Sequence, residues 1–355
     1  MLLALVGLIN VVGLVMVLSA SSVQAQQSYG NPWYFFERQV LWVALGTVVL
    51  VLAVRLDYHR LRGYGLPLLA VVAVLLLAVL VPHVGLSVNG SSRWLGRGSW
   101  RLQPSELAKI GLVLFGADLL AARGQRMADT RMTFMPVFIA FCVLALLIML
   151  QPDMGTTLVL FAIALSILFV AGTPLRTLAK SMLACAGCAL LAGMAAPYRR
   201  DRLLSFLHPF SDAGNTGYQV VQSYIGLGSG GLFGRGLGNS AAKWGFLPNS
   251  YTDFIFAIIG EETGLLGTLV VVVLFAGLAV LGIRAAVRAP DRFGTLLAAG
   301  ITAWIVTQAV LNMGAVIGVL PVTGVPLPFV SFGGSSLVIA MGGAGILANV
   351  ARQGR

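Results

Sequence analysis

Charge is the scarcest commodity in this 355-residue chain. Only 10% of its residues are Asp, Glu, Lys or Arg, against 58% hydrophobic. A soluble globular protein carries about 25% charged residues. A chain with so few cannot cover a water-facing surface, which excludes a soluble protein and leaves a polytopic membrane protein. Cysteine is nearly absent too: Cys142, Cys185 and Cys188 all lie in apolar stretches. The pair Cys185-x-x-Cys188 has no second pair and no neighbouring histidine to complete a metal site. Two small residues on a membrane helix are the plainer reading. The net charge is +11, yet the basic residues sit in short loops and form no continuous stripe, which excludes a nucleic-acid partner. Residues 1–20 lack the positively charged start of a signal peptide and are apolar throughout, so they read as a first membrane helix.

What is abundant is the apolar span. A bilayer core of about 30 Å asks for about 20 apolar residues per helix. Ten segments meet that ruler, near 2–20, 34–54, 64–82, 105–122, 134–150, 156–172, 178–197, 254–283, 294–318 and 335–350. The expected fold is an all-α polytopic membrane protein: ten transmembrane helices in one domain over residues 1–355. A long extracytoplasmic loop, about 198–253, joins helices seven and eight. Lys and Arg set the orientation. With the N-terminus in the cytoplasm, the inner loops hold Arg55, Arg60 and Arg62; Arg123, Arg126 and Arg131; Arg176 and Lys180; and Arg284, Arg288 and Arg292. An even number of spans returns the C-terminus to the cytoplasm.

The remaining cations break this pattern. Arg38 lies near the outer end of span two. Arg93, Arg97 and Arg101 lie in the outer loop before span four, with Lys109 inside that span. Arg199, Arg200, Arg202, Arg235 and Lys243 lie in the long loop. Two readings compete: loops long enough to cross regardless of charge, or an anion-binding surface on the outer face. In the long loop, Tyr218, Val221, Tyr224 and Ile225 recur at helical spacing and suit a helix lying at the interface. The glycine run that follows, from Gly226 to Gly238, is a weak phosphate fingerprint because no strand precedes it. A segment dipping into a protein-lined cavity fits it equally. The stretch "GVLPVTGVPLPFVSFGGSS" also breaks helix at membrane depth.

Carboxylates are rare, 12 in all, and costly inside a bilayer, about 2.5–3.5 kcal/mol each on insertion scales. Glu106 and Lys109 are three apart, share a helix face and can pair. They form either an idle ion pair or the polar wall of a cavity. Asp153, in "QPDMGTT", is either a turn residue or part of the same cavity. Asp118 reads as structural. Asp253 precedes span eight, where an acid also favours a helix start. Glu261 and Glu262 lie deeper and need partners, with Lys109 and the outer arginines as candidates. The spacing Gly260-x-x-x-Gly264 permits close helix approach. Carboxylates beside cations, half in the membrane, fit a substrate with an anionic headgroup and a lipid tail, such as a sugar on a lipid diphosphate.

Five motifs in order, "NGSSRWLGRGSWRLQPSELAKI", "QPDMGT", "GYQVVQSYIGLGSGGLFGRGLGN", "FLPNSYTDFIFAIIGEETGLLG" and "LPVTGVPLPFVSFGGSS", resemble the SEDS family (shape, elongation, division and sporulation). The resemblance runs from about residue 89 to the C-terminus. It implies an inverting peptidoglycan glycosyltransferase of the bacterial cytoplasmic membrane. Such an enzyme polymerises lipid II, an undecaprenyl-diphosphate-linked disaccharide-peptide, into β-1,4 glycan strands on the outer face. The family's key aspartate falls on Asp253, as base. Its Glu–Lys pair falls on Glu106 and Lys109 and its loop tryptophan on Trp94, after Arg93. Tyr251 stands where relatives often have histidine. Arg93, Arg202 and Lys109 are expected to stabilise charge; Asp153, Glu261 and Glu262 complete the cavity candidates, with bracing of the helix that presents Asp253 as the other reading of Glu261 and Glu262. No cofactor is certain, and a divalent cation such as Mg is compatible. Expected partners are lipid II, a class B penicillin-binding protein transpeptidase, other cell-wall elongation proteins and membrane lipids. Short cytoplasmic tails favour the RodA (elongation) branch, with the FtsW (division) branch as the alternative. A flippase for the lipid-linked precursor is the rival from another class, and the "TDF" motif favours the enzyme.

Overall fold

A computed structural model describes residues 1–88, 91–97, 100–124, 130–195, 206, 209–211, 213–215 and 217–354. Each of the ten apolar segments is a helix: α1 (Leu2–Tyr29), α2 (Tyr34–Arg55), α3 (Gly65–Leu80), α4 (Pro104–Ala122), α5 (Phe134–Met149), α6 (Met154–Val170), α7 (Leu175–Ala195), α9 (Ile255–Val287), α10 (Arg292–Val316) and α11 (Ser335–Gln353). Five of these (α1, α2, α9, α10 and α11) are long and apolar enough to cross a membrane by length and composition alone; α3, α5 and α6 are shorter apolar helices. The protein is a multi-pass membrane protein.

The bundle is built around α10, which packs on α4, α6, α9 and α11. Its side chains Phe293, Leu297, Ile301 and Trp304 are buried. Small residues bring the helices together. Gly300 faces Ile167 and Val113, and Gly345 faces the main chain of Leu50. Asn349 then donates its amide to Ala53 O, Val54 O and Leu56 O, satisfying carbonyls left open where α2 ends.

The all-α expectation needs one correction. Between α3 and α4 the chain forms a three-stranded antiparallel sheet, β1 (Leu86–Val88), β2 (Ser91–Arg97) and β3 (Trp100–Leu102), in the order β1-β2-β3. Leu86 pairs with Trp94 and Gly96 with Arg101. Strands of three to seven residues leave no trace in a window cut for membrane helices. The available sequence signal was the dipeptides Asn89-Gly90 and Gly98-Ser99, residue types that favour hairpins.

The long loop also carries structure: helix α8 (Tyr218–Gly230) and a short 3₁₀ turn, Ala242–Trp244. The small face of α8, Ser223, Gly226 and Gly230, is buried, and the helix packs on α9. The reason lies in α9 itself, which is broken at Gly264 (φ 69°, ψ −165°). That conformation is open to glycine and closed to most other residues. The break frees main-chain groups, and the glycine run satisfies them. Arg235 N and Gly236 N donate to Glu261 O and Glu262 O, each at 3.0 Å. Leu265 N and Leu266 N donate to Gly231 O and Leu232 O at 2.9 and 3.3 Å. A Cβ at Gly230 or Gly234 would collide with the main chain around residues 260–263. The glycine run thus folds against protein at a helix break, where the expectation had it dipping into a cavity.

Candidate active site

A cavity of about 920 Å³ opens between α1, α2, the sheet and the N-terminal ends of α4 and α6, and is closed by residues 249–253 and 323–336. Its walls carry three arginines, Arg38, Arg93 and Arg101, and three carboxylates, Glu106, Asp153 and Asp253. Tyr29, Tyr34, Phe35, Trp42, Trp94 and Tyr251 supply an aromatic side.

Asp153 is held at the start of α6 for a local reason. Its Oδ1 accepts from Thr156 N at 3.0 Å and its Oδ2 from Thr156 Oγ1 at 2.9 Å, an N-cap that satisfies an otherwise unpaired helix donor. Gln103 Nε2 reaches Oδ2 at 3.4 Å. Arg93 docks beside it from β2. Its Nε donates to Gln151 O at 3.0 Å and its Nη2 to Pro152 O at 2.5 Å, and Nη1 stands 4.0 Å from Asp153 Oδ2. The turn reading and the cavity reading of Asp153 are therefore both realised.

Glu106 and Lys109 form the expected pair. Lys109 Nζ donates to Glu106 Oε1 at 2.7 Å and to Gln308 Oε1 at 2.8 Å, and it sits 5.4 Å from the Trp304 ring. Both side chains are buried, Lys109 completely (0%) and Glu106 to 2%. Glu106 lines the cavity; Lys109 is set behind it, off the cavity wall. Among the described residues, the second Glu106 oxygen, Oε2, has no hydrogen-bond partner.

Asp253 lies in a turn two residues ahead of α9 and borders the cavity. Gly324, in the left-handed region at φ +71°, faces it: a Cβ there would lie 3.6 Å from Asp253 Oδ2. Tyr251 packs on Phe35 with ring centroids 4.6 Å apart. The neighbouring aromatics are ordered too. Tyr29 and Tyr34 stack at 3.6 Å, and the Arg38 guanidinium lies 3.4 Å over the Tyr34 ring.

The structure thus brings Arg93, Trp94, Glu106, Asp153 and Asp253 to one cavity, with Lys109 bonded to its wall. Arg202 lies outside the described residues. Glu261 and Glu262 lie away from the cavity; of their expected partners Lys109 bonds neither of them, while the outer-loop arginine Arg235 pairs with Glu261. Glu261 accepts from Ser240 Oγ (2.5 Å), Ala241 N (2.9 Å), Ala242 N (3.2 Å) and Arg235 Nη1 (3.2 Å). Glu262 accepts from Ser19 Oγ (2.6 Å) and pairs with Lys243 (3.5 Å). These two acids fasten the long loop and α1 to the break in α9. Of their two readings the one realised is bracing the helix that presents Asp253, and the cavity role is corrected: Gly264 ends the short half-helix just after them, and the loop folds over their side chains.

Sequence reasoning noted Arg38 and Arg101 as cations on the wrong side of the membrane but gave neither a site. That anomaly was the usable signal. Among the described residues, no group of three or more His, Cys, Asp and Glu side chains could hold a metal ion. Both Asp153 oxygens are engaged at the cap, and Glu106 Oε1 is engaged by Lys109.

Comparison with known proteins agrees with this architecture. The family model described as "Cell cycle protein" (FtsW, RodA, SpoVE) matches residues 1–355. A protein of Geobacter metallireducens named probable peptidoglycan glycosyltransferase FtsW is 39% identical over 341 residues, covering 96% of this chain and 91% of its own. Among solved structures, a chain from a study of polymerization and crosslinking by a peptidoglycan synthase complex superposes with a TM-score of 0.80 at 29% identity. It covers 99% of this chain and 96% of its own. The crystal structure of the Thermus thermophilus rod shape determining protein RodA superposes with a TM-score of 0.73 at 29% identity, covering 99% and 95%.

Proposed function

The chain belongs to the cell cycle protein family of FtsW, RodA and SpoVE, and from that premise we propose that it is an inverting peptidoglycan glycosyltransferase that polymerises lipid II. The observation that carries the reading is the cavity: one carboxylate, Asp253, at its edge, three arginines on its walls, and an aromatic side. A lipid-linked saccharide diphosphate asks for these features. In the reaction, Asp253 takes the proton of the acceptor 4-hydroxyl as that oxygen attacks C1 of the donor sugar. The bond from C1 to the diphosphate oxygen breaks, and configuration inverts. Arg38, Arg93 and Arg101 offset the charge that develops on the departing diphosphate, electrostatic stabilisation of the kind that dominates many enzymes. Glu106, braced by Lys109, keeps the wall polar.

In this reading all ten helices cross the bacterial cytoplasmic membrane, both termini face the cytoplasm, and the cavity opens on the outer face. A class B penicillin-binding protein transpeptidase crosslinks the product, a reading supported by the coordinated polymerization and crosslinking described for the similar synthase complex. The relatives carry both the FtsW and the RodA names. Polymerisation is common to the elongation and division roles, and the position of a fluorescent fusion at the lateral wall or the septum separates them.

The test is glycan synthesis from labelled lipid II by purified protein in detergent, where there is no membrane to cross. Wild type should polymerise. Asp253→Asn keeps size and removes proton affinity, so it should lose about 10²–10⁴-fold, the contribution typical of a general base. A wild-type protein that binds lipid II and forms no polymer would point to transport.

A further inference from the structure

Three successive main-chain carbonyls lead up to the α9 half-helix, and each accepts from a different group. Phe332 N donates to Tyr251 O at 3.0 Å. Ser331 Oγ donates to Thr252 O at 2.6 Å. Asn312 Nδ2 donates to Asp253 O at 2.8 Å. The two side chains have second attachments. The same Asn312 nitrogen donates to Val325 O at 2.8 Å, and Ser331 Oγ accepts from Leu327 N at 2.8 Å. Both residues are buried, at 2% and 3% exposure. Thr323, Gly324, Val325 and Pro326 line the cavity with Asp253. Asn312 and Ser331 thus join the segment that bears the carboxylate to the loop that forms a neighbouring wall.

We propose that Asn312 and Ser331 are positioning residues for the reaction. Neither touches the cavity itself. They fix the Asp253 main chain against the 323–332 loop, so the carboxylate meets the acceptor hydroxyl at one distance. The inference rests on Asp253 being the base, as proposed above. Buried main-chain carbonyls are almost always satisfied. Here side chains from α10 and the following loop do so where no helix or strand could. The requirement for such precision is steep: a misplacement of about 1 Å can lower rate on the order of 10²-fold with little change in ground-state binding.

The test is a double-mutant cycle read in purified protein with lipid II. Asn312→Ala alone should lower kcat by about 10²-fold and change KM by less than about threefold, since the loss is confined to the transition state. In the Asp253→Asn background the same substitution should cost less than about threefold, because the group it positions is gone. Ser331→Ala, which removes a single oxygen, should show the same pattern at smaller amplitude, and serves should Asn312→Ala fail to fold. Equal losses in both backgrounds, or wild-type kcat in a folded Asn312→Ala protein, overturn the positioning role. Wild-type kcat in the Asp253→Asn protein overturns the base assignment instead, and this inference with it.

Discussion

Breaking the Glu106–Lys109 pair should be costly, and unequally so from its two ends. At 2.7 Å the attraction is about 6 kcal/mol at an effective dielectric of about 20, and most of it offsets the desolvation of two buried charges. Removing one partner leaves the other uncompensated, typically about 3–5 kcal/mol. Lys109 is fully buried, and after Glu106→Ala it keeps, among the described residues, Gln308 Oε1 and the Trp304 face. Glu106 borders the cavity and can draw water from it, so Lys109→Met should cost less, about 1–3 kcal/mol. The double substitution Glu106→Gln with Lys109→Met removes both charges at similar volume. It should recover at least about 2 kcal/mol relative to Glu106→Ala, because neutral replacement of a buried pair is often harmless. Activity should stay low in the double variant even as stability returns, because the wall has lost its charge. The measurement is denaturant unfolding in mixed micelles beside polymerisation at matched folded concentration. If both single variants fall within about 1 kcal/mol of wild type, or the double variant is as unstable as the two losses added together, the pair is not buried as described.

Two further outcomes follow from other parts of the molecule. Near the N-terminal end of α10, His59 bonds Asp57 Oδ1 at 2.7 Å and also Asp291, which Tyr58 and Arg62 contact as well. The Asp57 hydrogen bond raises the His59 pKa most; burial opposes it, and the hydrogen bond and charge of Asp291 add to the net rise. Asp57 is held at about 2, chiefly by the His59 backbone N–H. The His59 contribution is therefore complete below about pH 6.5, its unfolded value, and is lost as pH rises through the higher folded value. That of Asp57 disappears only as pH falls toward about 2. Melting temperature should thus decline on the alkaline side in wild type and lose that slope in His59→Gln; identical slopes would show that the cluster is idle. Single cysteines at Arg60 and Arg288, in a cysteine-free background, should resist an impermeant thiol reagent added outside cells, whereas cysteines at Ser92 and Asn239 should react. The reverse pattern would invert the proposed orientation.

The helices were legible because a bilayer imposes one length on them, and that length can be read from hydropathy. The Glu106–Lys109 pair was legible for a similar reason, since a spacing of three places two side chains on one helix face. Longer reaches were not. Glu261 meets Arg235 from 26 residues away, and no local periodicity encodes that contact. The break at Gly264 hides in an apolar run, where the Gly260-x-x-x-Gly264 spacing reads as a helix-packing motif and not as a break. The cavity depends on α2, the sheet, α4, α6 and two loops meeting in space. Arg38 and Arg101 entered it unannounced except as violations of the charge rule. Asn312 was invisible, because an asparagine inside a helix shows nothing of the carbonyls it will reach.

The break in α9 has a consequence for bilayers of different thickness. Residues 265–287 alone extend about 34 Å at 1.5 Å per residue, enough to cross a hydrocarbon core of about 30 Å. Residues 255–263 are then surplus to the crossing and are anchored by the loop and α1 through Glu261 and Glu262. A helix longer or shorter than its bilayer responds by tilting, and in an unbroken helix that tilt would swing Asp253 at its far end. With a hinge at Gly264, tilt is absorbed by the long arm while the short arm stays with its neighbours. Lipid chain length should therefore shift the angle of residues 265–287 and leave the geometry around Asp253 unmoved.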